Sequence, residues 1–240
     1  MPVNRLRAVL VDGWQRLERV LLPPRCVLCQ APGSWGDLCA DCAREWPKNE
    51  SYCARCAIPL AEPAACCGEC LRQAPPWDRV WAPFRYAWPL DRLETRFKFH
   101  GDLAAGRVLA EAWLREPRPL ELPQRLLPVP LHRARLRQRG YNQALELARP
   151  LSRALGIELA PRGLQRLRAT PPQSELDGKA RRTNVRGAFR LAPGLELPEH
   201  VAVVDDVMTT GATLAECARL LKRAGVHRVE VWALARAPRG

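Results

Sequence analysis

Val201–Thr213 runs VAVVDDVMTTGAT. Val201–Val204 are four consecutive apolar residues, mostly β-branched, which predicts a short strand buried in a sheet. Asp205 and Asp206 follow at its carboxyl end, then a hydroxyl-rich turn, Thr209-Thr210-Gly211-Ala212-Thr213. Leu214–Ala224 has amphipathic helical spacing and stops at Gly225. In an open α/β sheet, ligands bind outside the carboxyl ends of the strands. The first N–H groups of a helix lack intrahelical partners, and the helix dipole favours an anion there. Thr hydroxyls add donors, and Gly211 lets the backbone approach closely. The two carboxylates suit a ribose diol, because each accepts a hydrogen bond from a hydroxyl. Together these features describe a site for a phosphorylated sugar. A Walker loop is excluded, because its Gly-x4-Gly-Lys-Ser/Thr spacing is absent. An ordinary turn and helix cap would leave the Asp pair without a structural use.

The chain has 240 residues, enough for one large or two small domains with an ample core. Its net charge of +13 points to a polyanionic partner, a nucleic acid or a phosphorylated substrate. The charge is clustered: Pro128–Arg190 holds fourteen Lys/Arg against four Asp/Glu. Most are Arg, whose fork binds phosphate in a bidentate way. Leu6, Val9, Leu10, Trp14, Leu17 and Leu21 recur at helical spacing, interrupted by Arg and Asp. That pattern predicts an amphipathic helix over 1–22 rather than a secretory signal. With no apolar run of about 18 residues, the expectation is a cytoplasmic protein without a membrane span.

Nine of the ten cysteines fall between Cys26 and Cys70. In a cytoplasmic chain such density means metal rather than disulfides. They form four Cys-x2-Cys knuckles: Cys26/Cys29, Cys39/Cys42, Cys53/Cys56 and Cys67/Cys70. Two knuckles complete one tetrahedral sulfur site, so four imply two structural Zn²⁺ ions. Near-equal spacers suggest a tandem repeat. Sequential pairing, 26/29/39/42 with 53/56/67/70, is preferred, and an interleaved cross-brace would use the same eight residues. Cys66 could replace Cys67 as a ligand, but only Cys67 keeps the x2 spacing with Cys70.

The expected organisation is a helix at 1–22, a double zinc-ribbon module at 23–73 and an α/β domain at 77–240. Arg79–Trp88 reads as a strand pair or hairpin with Pro83 at an edge or turn. Leu90–Phe99 and Leu103–Arg115 read as helices, the second capped by Asp102. Leu126–Pro130 reads as a strand. Arg133, Arg135, Arg137 and Arg139 then alternate with other residues, read here as a loop at the strand end that binds pyrophosphate or a nucleic-acid backbone. Gln143–Leu155 is a helix ending near Gly156. Arg162–Lys179 is a long polar loop of the kind that acts as a lid. Strands near Ala188–Leu191 and at Arg228–Leu234 complete an alternation that argues for a mainly parallel sheet. The four histidines are scattered and receive no role, and Cys217 is expected to be a packed thiol.

These motifs together resemble the ComF family of competence-associated proteins. The resemblance is carried by the cysteine knuckles, Lys98-Phe99-x-Gly101-Asp102, Pro128-Val129-Pro130-Leu131 and Arg135-Leu136-Arg137-x-Arg139-Gly140-Tyr141-Asn142-Gln143. Thr170-x2-Gln173-x2-Leu176, Arg181-x2-Asn184-Val185-x-Gly187-Ala188-Phe189 and Val204–Thr213 complete it. The last motif also resembles the loop that binds 5-phosphoribosyl-1-pyrophosphate (PRPP) in type I phosphoribosyltransferases. The resemblance implies an α/β fold of that type, a mainly parallel sheet with helices on both faces, preceded by the small zinc-ribbon module. It implies Mg²⁺ bound with PRPP, or with another phosphorylated ribose, and single-stranded DNA and other DNA-processing proteins as partners in DNA uptake or utilisation.

On this reading Asp205 and Asp206 hold the ribose, and Thr209, Thr210, Gly211, Ala212 and Thr213 bind the 5-phosphate. Arg133, Arg135, Arg137 and Arg139, with Arg181 and Arg182, are candidates for pyrophosphate or DNA. Residues 79–115 or the zinc module take the place of the hood that selects the acceptor. The resemblance supplies no acceptor. A non-catalytic module that binds single-stranded DNA or senses PRPP is the alternative, with Trp35, Trp46, Trp77 or Tyr141 as stacking platforms.

Overall fold

The computed structural model describes residues 25–33, 37–168 and 185–238. The expected helix at 1–22, Trp35, Arg181, Arg182 and most of the long polar loop lie outside the described residues. The chain forms two compact units, Met1–Trp46 and Pro47–Gly240.

Each unit holds one cysteine repeat, and the two repeats share a backbone plan. In the first, Cys26 N–H donates to Ala31 O at 2.8 Å and Gln30 N–H to Cys26 O at 2.9 Å. In the second, Cys53 N–H donates to Ile58 O at 3.0 Å and Ala57 N–H to Cys53 O at 2.8 Å. The residue after the first knuckle of each repeat is left-handed, with φ +65° at Gln30 and +55° at Ala57. The second knuckle of each repeat opens a short helix, α1 (Ala40–Arg44) after Cys39 and α2 (Gly68–Arg72) after Cys67. The tandem is therefore structural as well as numerical.

Within Pro47–Gly240, eight strands and five further helices follow in order among the described residues. They are β1 (Arg79–Trp81), β2 (Phe84–Arg85), α3 (Leu90–Phe99), α4 (Leu103–Arg115), β3 (Arg125–Pro128), α5 (Arg133–Arg139) and α6 (Gln143–Leu155). Then come β4 (Glu158–Leu159), β5 (Leu164–Arg166), β6 (Phe189–Leu191), β7 (His200–Met208), α7 (Ala212–Arg223) and β8 (Arg228–Arg236). The main sheet is ordered β1-β8-β7-β3-β4, with β2 also on β8. Every pairing in it is parallel, and β5 and β6 form a separate antiparallel pair.

Central β7 and β8 are buried on both faces, as their nearly unbroken apolar runs require. One face of β7, Val201 and Val203, packs with Leu214, Cys217, Ala218 and Leu221 of α7. Trp232 of β8 alternates with Val231 and so lies on the opposite face. There its ring meets Trp81 at 4.9 Å, and Trp81 meets Trp113 of α4 at 5.5 Å. α3 packs on α4 through Gly106, where a Cβ would fall 2.5 Å from the Phe97 ring. Asp102 caps α4 as expected, accepting from Ala105 N–H at 3.0 Å.

Three local expectations are corrected. The stretch Arg162–Lys179 is not all loop, since Leu164–Arg166 within it is β5, paired with β6. Arg79–Trp88 is not a hairpin. β1 and β2 both run parallel to β8 in a constant register, Arg79 opposite Glu230 and Phe84 opposite Ala235. They are one edge strand interrupted at Ala82-Pro83, where proline removes a ladder donor. Arg133–Arg139 is helix α5, not a loop. Arg, Ala, Leu and Gln are all strong helix formers, and that preference overrides the period-two look of the arginines. His132 caps its start, accepting from Ala134 N–H at 3.3 Å, and Gly140 ends it at φ +86°.

Topology places the site. From β3 the chain passes through α5 and α6 to β4 on one side, and from β7 through α7 to β8 on the other. Adjacent β3 and β7 therefore form a topological switch point, where open α/β sheets bind ligands. β3 stops at Pro128, opposite Val204, while β7 continues along β8 to Met208. Asp205 and Asp206 thus sit inside the ladder with β8, just beyond the end of β3.

Candidate functional site

The acid pair is tuned by a lysine more than a hundred positions upstream. Lys98 Nζ lies 3.2 Å from Asp206 Oδ2 and 3.0 Å from Glu94 Oε1. Glu94 and Lys98 are one helical turn apart on α3, which aligns them on one face. Tyr86 donates its hydroxyl to Glu94 Oε2 at 3.2 Å.

Burial and the nearby Asp206 charge push Glu94 up to about 7, against the pull of Lys98. Burial alone would lower Lys98, but Asp206 and Glu94 hold it above its usual range. Burial would raise Asp206, yet Lys98 and the Val207 N–H, donated at 2.7 Å, keep it below the usual carboxylate range. Burial and the Asp206 charge raise Asp205 well above that range. Lys98 thus favours the ionised form of Asp206, burial disfavours that of Asp205, and further positive charge would favour it. A divalent cation is such a charge, and carboxylate oxygens are its preferred ligands, so Asp205 fits Mg²⁺ chemically.

The turn after β7 leads directly into α7. Gly211 adopts φ +73° and starts α7, and Ala212 N–H donates to Thr210 Oγ1 at 3.3 Å. Thr209 and Thr213 are half-buried and Thr210 is exposed. Trp77 packs under Gly211, where a Cβ would stand 3.2 Å from its ring. Arg236 donates to the carbonyls of Met208 and Thr209 and so fixes the approach to the turn.

The arginines divide. On α5, Arg135 and Arg139 are one turn apart, and so are Arg133 and Arg137 on a different face. Arg139 is lowered chiefly by burial, opposed by Asp206 and reinforced by Arg135. Arg166 of β5 is lowered by burial and by Arg135, with Asp205 acting the other way. Arg139 and Arg166 therefore share the electrostatic field of the acid pair, and Arg135 acts on both of them. Arg139 also stands over the Phe99 ring, 5.6 Å from its centroid, and Phe99 is 67% exposed. Tyr141 donates to Phe97 O and stacks on Phe97 at 5.3 Å. Trp46 and Trp77 are buried, which removes both as stacking platforms.

Sequence reading missed Glu94, Arg166, Arg236 and the role of Lys98. The one signal available was the Glu-x3-Lys spacing on a helix that carries a family motif.

The structure gathers the eight knuckle cysteines into two groups, Cys26/Cys29/Cys39/Cys42 and Cys53/Cys56/Cys67/Cys70. Within each, the sulfur atoms lie within 4.8 Å of one another. A tetrahedral zinc with Zn–S of about 2.3 Å separates its sulfurs by about 3.8 Å. Cys29 and Cys39 sulfurs are 3.6 Å apart, and Cys56 and Cys67 sulfurs 3.7 Å, so both sets fit zinc. Cys67 N–H donates to Cys53 Sγ at 3.2 Å, the kind of contact that stabilises a thiolate. Cys66 belongs to neither group.

Residues 17–71 match a double zinc ribbon domain, and residues 142–240 match a phosphoribosyl transferase domain. Fold and site thus define a phosphoribosyltransferase-domain protein with a double zinc ribbon. The chain is 40% identical over 227 residues to DNA utilization protein YhgH of Salmonella typhimurium, covering 90% of this chain and 98% of that protein. It is 39% identical over 223 residues to Competence protein F of Haemophilus influenzae, covering 89% and 97%. To Competence protein ComFC of Streptococcus pneumoniae it is 27% identical over 213 residues, covering 83% and 87%. The chain belongs to the ComF family. No helix among the described residues is long and apolar enough to cross a membrane.

Proposed function

We propose that the Pro47–Gly240 unit binds PRPP with Mg²⁺ and works on single-stranded DNA or its breakdown products. The observation that carries the first part is the order acid pair, Thr/Gly turn, helix start at the switch point between β3 and β7. Asp205 and Asp206 accept from the ribose hydroxyls. The turn Thr209–Thr213 and the first N–H groups of α7 take the 5-phosphate. Arg135, Arg139 and Arg166 face the pyrophosphate. In transfer, the C1–oxygen bond breaks and its electron pair leaves on pyrophosphate, while a lone pair of the acceptor forms the new bond to C1 and the acceptor gives up its proton. Fixed guanidinium groups stabilise the charge that develops on the leaving group. Bound Mg²⁺ supplies further charge neutralisation at the pyrophosphate.

The relatives' names, DNA utilization and competence, support the DNA part. So do the +13 charge and the exposed Phe99 beside Arg139, since an exposed ring flanked by a guanidinium suits a nucleobase. The class of activity is decided by product. Transfer predicts pyrophosphate release when an acceptor is supplied. A sensing module predicts PRPP-dependent DNA affinity without release.

Thermal unfolding tests the sugar site. Saturating PRPP with Mg²⁺ raises the melting temperature, as any ligand specific for the native state does. 2-Deoxyribose 5-phosphate, which lacks one of the two hydroxyls that the acids hold, raises it less than ribose 5-phosphate. Equal shifts from the two sugars, or none from PRPP, contradict the assignment.

A further inference from the structure

Two residues tie the second cysteine repeat to the phosphate turn, both inside Pro47–Gly240. Arg236, the last residue of β8, is only 1% exposed. Its Nε donates to Cys56 O at 2.9 Å, and its Nη1 reaches Met208 O, Thr209 O and Ala237 O. One guanidinium therefore holds a zinc-ligand residue and the two residues that lead into the turn. Trp77 makes the second tie. Its indole N–H donates to Arg55 O at 2.6 Å, inside the Cys53–Cys56 knuckle, while its ring lies under Gly211. Asn49 adds a brace, donating to Ala57 O at 3.0 Å and Ala82 O at 3.1 Å. The same cysteines share one core with Trp77, Met208, Ala212 and Leu214.

A guanidinium presents its donors in a rigid fork. Buried carbonyls that it serves keep their partners only while both loops hold their shape, and unpaired buried polar groups are costly.

We propose that the second four-cysteine site positions the phosphate turn through Arg236 and Trp77, so that zinc occupancy there and phosphoribosyl binding are thermodynamically linked. This rests on the reading that Thr209–Thr213 binds a 5-phosphate. Linkage is reciprocal: whatever factor zinc adds to ligand affinity, the ligand adds to zinc affinity. Arg236 and Trp77 are positioning residues, since they touch the loops rather than the ligand.

The test is a zinc-selective chelator titration of the zinc-loaded full chain, with and without saturating PRPP and Mg²⁺, reading released zinc with an indicator dye. PRPP should shift the release midpoint of one of the two zinc ions at least tenfold. In Cys29→Ser/Cys42→Ser, which keeps only the second site, the shift should belong to all of the bound zinc. Arg236→Lys should retain both zinc ions, lose the shift and bind PRPP at least tenfold more weakly. If that variant fails to fold, Trp77→Phe carries the test, because it removes the indole N–H that reaches Arg55 O and the outer ring atoms that lie under Gly211. Native protein that binds PRPP with an unshifted release profile overturns the proposal and leaves the phosphate site standing. Variants that bind PRPP as tightly as native do the same. Zinc-loaded native protein that binds no PRPP overturns both.

Discussion

Lys98 touches Glu94 and Asp206 together, so one ammonium favours the ionised form of two acids against their burial. Glu94 releases its proton near 4.5 in an unfolded chain and near 7 in the fold. Between those values the folded state binds more protons. Its contribution to stability is fully present below the lower value and is lost as pH rises through the higher one. Relative to Glu94→Gln, native protein should therefore lose about 2–3 kcal/mol between about pH 5 and about pH 8, measured by chemical denaturation. A difference that does not vary with pH contradicts the assignment. Asp205, Asp206 and the turn were legible in the sequence because one contiguous stretch carries strand, acids and helix start. Glu94, Lys98 and Arg236 were not, because their meaning depends on packing with residues a hundred or more positions away. Arg236 read as the end of a last strand, and only its burial against four carbonyls reveals its use.

Helix α5 separates two tasks that the sequence presented as one. Arg139 shares the field of the acid pair and Arg135 lies one turn before it on the same face, while Arg133 and Arg137 occupy another face. Arg135→Ala/Arg139→Ala should weaken PRPP binding. Arg133→Ala/Arg137→Ala should spare it and, if that face carries DNA, reduce the salt slope of single-strand binding by about 1 to 1.5. Equal effects of both pairs on both ligands contradict the division. The helix itself was misread because alternating arginines imitate a strand face or an extended loop, whereas the residue types between them favour a helix. The turn before α7 depends on Gly211 at φ +73°. Gly211→Ala places a methyl 3.0 Å from Met208 Cε in a backbone region that L-residues avoid. It should cost about 1–2 kcal/mol in stability and weaken PRPP binding, read by denaturation and calorimetry. An unchanged affinity would show that the turn's shape does not matter to the ligand.

The molecule joins two kinds of order. Cysteine spacing made the tandem ribbon legible, since a Cys-x2-Cys knuckle has few uses in a chain of this composition. Spacing did not reveal that the second repeat lies in the same compact unit as the sheet, because apolar packing around Trp77 and Val80 decides that. Parallel order was legible from the alternation of strand and helix, and the switch point was not, since strand order is set by crossovers. Net charge of +13 predicts that single-stranded DNA binding weakens steeply with added salt; an affinity indifferent to salt contradicts a phosphate-binding surface. The central claim is the phosphoribosyl site itself. Calorimetry of zinc-loaded native protein with PRPP and Mg²⁺, beside Asp205→Asn/Asp206→Asn, tests it most directly. Saturable, Mg²⁺-dependent binding that the double variant loses is the predicted result. Folded native protein that gives no binding, or a folded double variant that binds as native does, would contradict it.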